Sequence, residues 1–177
     1  MRYSVDMFEE IVANVRAKYD EANNLEPYFD YGHILDILSK LTAKDDNDVN
    51  KFRKYPLICL ILDQKETHGT SVNYQYTFAP RLLIVTSTQK EYTSQDRTNN
   101  TFKPILYPIY DLLIEEVKKY KYFGFEPRSL WPHDKYDRYS WGASEIFGNV
   151  GVIFNDYLDG IEIISENINV YKQASNC

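Results

Sequence analysis

Apolar positions recur along this chain with two periods, and the points where the period changes divide it into elements. Met7, Ile11, Val12, Val15 and Tyr19 share one face of a helical repeat, while Glu9, Glu10, Arg16 and Lys18 fall largely off it. This predicts an amphipathic helix from about Val5 to Ala22. Asn23-Asn24 breaks it, and Tyr28-Phe29-Asp30-Tyr31-Gly32 reads as an aromatic connection without clear period. Ile34, Leu35, Ile37, Leu38 and Leu41 then mark a second, short helix. Pro56 to Leu62 is apolar on both faces of a two-residue repeat, as expected of a central strand covered on both sides. Asp63 to Val72 turns polar around Gly69. Asn73 to Phe78 alternates, with Tyr74, Tyr76 and Phe78 on one face of a half-exposed antiparallel strand.

The longest uninterrupted signal runs from Arg81 to Tyr122 and reads as strand, loop and helix. Leu82-Leu83-Ile84-Val85, extended by Thr86-Ser87-Thr88, predicts a core strand. Gln89 to Asn100 has one aromatic and no aliphatic residue, so it is expected to project as a loop. Phe102, Ile105, Leu106, Ile109, Leu112, Leu113 and Val117 keep one helical face apolar, which lays a helix on the sheet. Thr101 is placed to cap that helix. Pro108 lacks a donor and crowds the carbonyl of residue 104, which predicts a kink or a helix proper beginning near Tyr107. Lys118, Lys119 and Lys121 sit at the negative end of the dipole, and Gly124 is read as the stop. Phe123 to Gly148 reads as an ordered, aromatic-rich loop. Val150, Val152 and Phe154 alternate as a strand, and Ile161 to Tyr171 offers a last strand or pair of strands. Helices before, between and beside mainly antiparallel strands give an α+β class, and no Pro/Gly/Ser-rich linker divides residues 1–177, so one domain is expected.

Composition narrows the function classes. A net charge of −6 without a long basic block argues against a sequence-reading nucleic-acid binder, since phosphate attraction supplies much of such affinity. No apolar run is long enough for a membrane span, and the opening residues do not form a secretory signal, so an intracellular protein is expected. Cys59 lies inside an apolar strand and Cys177 ends the chain, which suggests no disulfide framework. The 16 Tyr, 9 Phe and 2 Trp exceed what one core of this size needs. Because amphipathic aromatics are enriched at interfaces, the excess points to assembly.

Candidate chemistry is sparse. His33, His68 and His133 lie in separate segments, none at zinc-ligand spacing from another His or Cys, and neither a nucleophile elbow nor a glycine-rich phosphate loop occurs. The acidic run Asp45-Asp46-Asn47-Asp48 lacks the glycine turn and bidentate carboxylate of a calcium loop and reads as a solvated loop or cap. One enzyme alternative exists. Asp63-Gln64-Lys65 ends the buried strand with the carboxylate-x-lysine spacing of metal-dependent nucleases, and Asp45, Asp46 or Asp48 would have to supply the second acidic ligand. No catalytic residue, metal or cofactor is assigned, and an unassigned α+β adaptor is the remaining alternative.

Four segments carry a resemblance: Phe52-Arg-Lys-Tyr-Pro-Leu-Ile-Cys-Leu60, Leu82-Leu-Ile-Val85 before the long polar stretch, Phe102-Lys-Pro-Ile-Leu-Tyr-Pro-Ile-Tyr-Asp-Leu-Leu113, and Tyr136-Asp-Arg-Tyr-Ser-Trp141. With the order of elements, they make the chain similar to the tail-terminator, or tail-completion, family of tailed bacteriophages. More loosely, it resembles ring proteins at the portal–tail junction of crAss-like phages. The resemblance implies a non-enzymatic structural virion protein in the neck region, assembled in the host cytoplasm. It implies a homo-oligomeric ring of six- or twelve-fold symmetry, contacting portal or adaptor and tail ring proteins while DNA passes through the lumen without sequence-specific binding. The two polar stretches, Asp63 to Val72 and Gln89 to Thr101, are then the expected contact surfaces. Lys65, His68, Lys90, Tyr92, Asp96 and Arg97 are the candidate interface residues, offering both charge signs and an aromatic anchor.

Overall fold

A computed structural model describes residues 2–23, 26–45, 54–69, 74–124, 131–139, 156–165 and 167–172. Helix α1 (Ser4–Asn23) has the expected extent and buries Met7, Phe8, Ile11, Val12, Val15 and Tyr19. Strand β1 (Tyr28–Gly32) follows, then α2 (Ile34–Asp45) and β2 (Leu57–Ile61), which pairs with β1 in parallel from Tyr28↔Leu57 to Gly32↔Ile61. The aromatic connection expected at Tyr28–Gly32 is therefore a strand. Its irregular pattern hides it, because the buried Asp30 breaks the apolar period. Asp30 is tolerated there because Lys40 from α2 reaches its Oδ1 at 2.6 Å and the Tyr31 amide donates to the same oxygen at 2.8 Å.

Strands β3 (Glu66–His68), β4 (Tyr74–Phe78) and β5 (Arg81–Ser87) come next. After the long helical run come β6 (Phe123–Gly124), β7 (His133–Tyr139), β8 (Leu158–Ile164) and β9 (Ile168–Tyr171). They form a five-stranded sheet in the order β1-β2-β5-β8-β7 and a four-stranded antiparallel sheet in the order β3-β4-β9-β6. All neighbours in the larger sheet except β1 and β2 are antiparallel. The protein is thus α+β and rich in antiparallel strands, with a long central helix. β2 is internal and fully buried, as its two-sided apolar run requires, although β5 holds the central place.

The region read as one loop from Phe123 onward contains β6 and β7, and the expected strand at Val150–Phe154 lies outside the described residues. Gly124 does not stop the helix, which ends at Lys119 with Tyr120 as its cap. It lies in β6 opposite Asn169, where a Cβ would stand 2.5 Å from the Tyr171 ring, so the tyrosine's packing requires glycine.

The main core is enclosed on three sides. Helices α1 and α4 (Tyr107–Lys119) contribute Met7, Ile11, Val15, Ile109, Leu113 and Val117. One face of the larger sheet adds Ile58, Leu60, Leu82, Ile84, Ile161 and Ile163, and the smaller sheet adds Tyr76, Phe78, Ile168 and Val170. A second core lies on the opposite sheet face, where Ile37 and Leu41 of α2 cover Leu57, Cys59, Leu83, Val85 and Leu158. Much of the aromatic excess is used internally. Phe8, Phe78 and Phe123 pack with centroids 5.9 to 6.3 Å apart, and Tyr120 joins Phe123 at 4.8 Å. Burial raises the Cys59 thiol well above its ordinary value, which makes it an inert core residue.

Between β5 and α4 the chain turns through residues 88–93 and is helical from there on. A four-residue helix α3 (Ser94–Arg97) leads into a π-helical segment (Thr98–Leu106), and α4 proper begins at Tyr107 with Pro108 in its first turn. The start near Tyr107 is the one that the Pro108 position predicts. The expected projecting loop and the Thr101 cap are both overturned. Thr93, not Thr101, is the cap: its hydroxyl accepts from the Asp96 amide at 3.2 Å, and the Asp96 carboxylate accepts from the Thr93 amide at 3.0 Å. Two local features favour the wide π turn. Pro104 and Pro108 cannot donate to an α-helical ladder, and the hydroxyls of Thr98 and Thr101 bond back to the carbonyls of Ser94 and Arg97 at 2.8 and 2.6 Å.

Candidate assembly interface

The side chain that organises the stretch after β5 is Arg97, which is completely buried. Three carbonyls of the preceding turn converge on its guanidinium. Gln89 O and Lys90 O accept from Nη2 at 2.8 and 3.3 Å, and Tyr92 O accepts from Nε at 3.1 Å. On its other edge Nη1 donates to Thr88 Oγ1 at 3.1 Å and to Asp159 Oδ1 at 3.0 Å, and Asp137 Oδ1 stands 3.3 Å from Nε. Asp159, on β8, is also fully buried. Its Oδ2 accepts from the Thr101 hydroxyl at 2.8 Å, and its Oδ1 takes a second bond, from the Arg138 amide at 3.0 Å.

The Arg138 amide is aimed there by the backbone. Tyr136 pairs with Gly160 and Tyr139 with Leu158, so Asp137 and Arg138 together oppose Asp159 in a β-bulge. Arg138 takes φ = 71°, a conformation that non-glycine residues seldom adopt and that turns its N–H toward the carboxylate. Both carboxylate oxygens of Asp159 are thereby hydrogen-bonded, Oδ1 twice and Oδ2 once. This is the condition under which a buried charge pair is tolerated, since an ion pair with unfilled hydrogen-bonding positions would lose more in desolvation than it regains.

The six candidate interface residues separate accordingly. Arg97 is the centre of this knot and has no surface to offer a partner, so its place among them is corrected. Asp96 is occupied by the capping box, where the Thr93 hydroxyl and amide hold its carboxyl below the ordinary range. Tyr92 is half-buried, its carbonyl accepting from Arg97. Lys90 is exposed, with its ammonium 5.8 Å from the Tyr157 ring centroid. Lys65 and His68 are exposed at the hairpin, where Glu66, Thr67 and His68 form β3, a strand that pairs only with β4 among the described residues. The His68 ring stacks on Tyr76 of β4 with centroids 5.4 Å apart. Because β2 and β5 run antiparallel, the polar stretch after β2 and the one after β5 leave the larger sheet at opposite ends. The structure does not bring the six residues together.

Asp63, the carboxylate of the enzyme alternative, lines a recess of about 140 Å³ with an apolar floor of Ile34, Ile61 and Leu83. The other carboxylate in that recess, Glu162, is bound to Arg81 at 2.5 Å. Lys65 is exposed, Asp45 ends α2, and Asp46 and Asp48 lie outside the described residues. Among the described residues no group of three or more His, Cys, Asp or Glu side chains could hold a metal ion, and no helix is long and apolar enough to cross a membrane. The three histidines serve separate local purposes. His33 accepts from the Leu35 amide at the start of α2, His68 stacks on Tyr76, and His133 contacts the Tyr110 hydroxyl at 3.1 Å.

Asp159, Thr88, Asp137 and Arg138 were not singled out from sequence. The only local sign of the knot is Thr93-Ser-Gln-Asp96, a capping-box spacing immediately ahead of Arg97. No family model matches the chain, and neither a curated protein nor a solved structure matches it.

Proposed function

We propose that the chain is a non-catalytic structural virion protein that forms an oligomeric ring at the head–tail junction of a tailed bacteriophage and joins portal to tail around the DNA channel. The observation that carries this reading is the separation of two dissimilar polar surfaces at opposite ends of one sheet. At one end the Arg97 knot holds a firm turn bearing Lys90 and Tyr92. At the other the polar stretch after β2 presents the exposed Asp63 and Lys65. A ring needs a heterologous contact in which one surface meets a different one on the next copy, and surfaces on rigid supports lose little freedom on association. The pattern resemblance to tail-terminator proteins supports the same reading. Light scattering of the purified chain, alone and with a portal complex, tests it. A closed oligomer in either sample is expected, and a monomer that ignores the portal complex rejects the proposal.

The nuclease alternative rests on Asp63 and Lys65 and is tested directly. DNA incubated with the protein and magnesium or manganese stays intact under the proposal, whereas cleavage abolished by Lys65→Ala would replace it.

A further inference from the structure

The strand Glu66–His68 has a property that its three exposed residues do not show singly. Among the described residues it is a sheet edge, and its charge pattern is complementary to itself. Edge strands carry unpaired N–H and C=O groups and recruit other strands unless blocked. When two copies of one edge pair through a two-fold axis normal to the sheet, the pairing is antiparallel and residues i and j facing each other must lie on the same sheet face. Centring that axis on Thr67 meets the condition. Thr67 then faces Thr67 of the second copy, and each Glu66 faces a His68. Glu66 and His68 lie on one face of β3, since they pair with Phe78 and Tyr76, alternate residues of β4. Shifting the axis to Glu66 or Lys65 places like charges opposite each other, so the Thr67 register is the favoured one among these.

Both charged side chains are free to take this second role. Within one chain His68 Nε2 and Glu66 Oε2 are 3.8 Å apart, beyond hydrogen-bond length, while Gln64 Nε2 holds the other Glu66 oxygen at 3.1 Å. Stacking on Tyr76 fixes the His68 ring against the sheet and leaves its side chain 54% exposed. An imidazole N–H can donate to a carboxylate whether or not the ring is charged.

We infer that two copies of this chain associate edge to edge through β3, joining their four-stranded sheets into one continuous eight-stranded sheet with Thr67 on the two-fold axis. This contact is isologous and closes as a dimer. It therefore differs from the contact that closes a ring, and it stands without the ring reading. If the ring reading also holds, the β3 pair joins two rings face to face.

The test is sedimentation equilibrium of the wild type and of E66K and H68E, alone and mixed. Thermal unfolding serves as a folding control, which these exposed positions are expected to leave unchanged. Each single variant opposes like charges or removes the attractive pair, so its dimer should weaken about ten- to a hundred-fold. A one-to-one mixture of E66K and H68E restores attraction at both pairs and should form a heterodimer at least as tight as the wild type. A wild-type chain that stays monomeric, a dimer indifferent to both substitutions, or a mixture that fails to recover each overturns the inference. A ring that forms normally while the mixture fails to recover rejects the β3 pair alone.

Discussion

Two polar stretches of similar composition, Asp63–His68 and Gln89–Thr101, end in opposite physical states. The first is an exposed hairpin arm whose side chains face water, apart from Gln64, which turns inward to Ser4. The second wraps its own carbonyls around Arg97 and carries that side chain into the protein against Asp159. Both lack aliphatic residues, so apolar content cannot distinguish them. What separates them is whether distant residues supply complementary polar partners. Asp159, 62 residues beyond Arg97 in the chain, together with Thr88, Thr101 and the bulged Arg138 amide, satisfies the knot. Polar composition shows that a segment cannot bury itself by hydrophobic means, but it does not show that the segment stays in water.

The comparison breaks most visibly at the buried pair. Asp159→Ala leaves the buried Arg97 guanidinium with only the partly exposed Asp137 carboxylate and is expected to cost about 3–5 kcal/mol in urea unfolding. Replacing both residues, as Arg97→Met with Asp159→Leu, should cost much less than the two single changes added together. A double-variant cost equal to the sum of the two single costs would show that the charges do not act as a pair. In the apolar core beneath, Ile109→Ala should cost about 2–5 kcal/mol in the same assay, because Ile109 is fully buried between α1 and the larger sheet.

A smaller effect is expected at the entry to the helical run. Thr93→Ala removes the cap and should cost about 1 kcal/mol. The same change should move the Asp96 carboxyl back up in an NMR titration, because the Thr93 hydroxyl and amide are what hold it low. A carboxyl that is lower in the folded than in the unfolded chain adds stability that is complete above the ordinary carboxylate range. That stability is lost as pH falls through the depressed folded value. The wild type should therefore lose this contribution in acid, and Thr93→Ala, which keeps the amide but not the hydroxyl, should lose less. At the hairpin arm Lys65→Ala should change folding stability by no more than about 0.5 kcal/mol, as for other exposed positions.

Sequence patterning was most informative where apolar spacing is regular and least informative where polar groups meet from afar. α1, β2, β5 and α4 follow from their repeats, and Pro108 marks the start of α4. β1 escaped because Asp30 interrupts it and Lys40, a helix away, makes that interruption tolerable. β3 and β7 are short or charged edge strands with no apolar face to read. Beside the knot, the capping-box spacing of Thr93 and Asp96 was passed over when the stretch was read as a loop, and the Arg97–Asp159 pair has no local signature. The candidate assembly surface was half legible. Lys65, His68 and Lys90 are exposed as expected, but the reversal of direction between β2 and β5, which sends the two stretches to opposite ends, belongs to the fold.

Hydrogen exchange resolved by residue, on dilute monomeric protein and on concentrated self-associated protein, tests the division between knot and edge most directly. Amides from Arg97 through Leu106 should be protected already in the monomer, and those amides of Glu66–His68 that point away from β4 should exchange fast until association slows them. Rapid exchange across Arg97–Leu106 in the monomer, together with unchanged exchange at Glu66–His68 on association, would contradict both assignments.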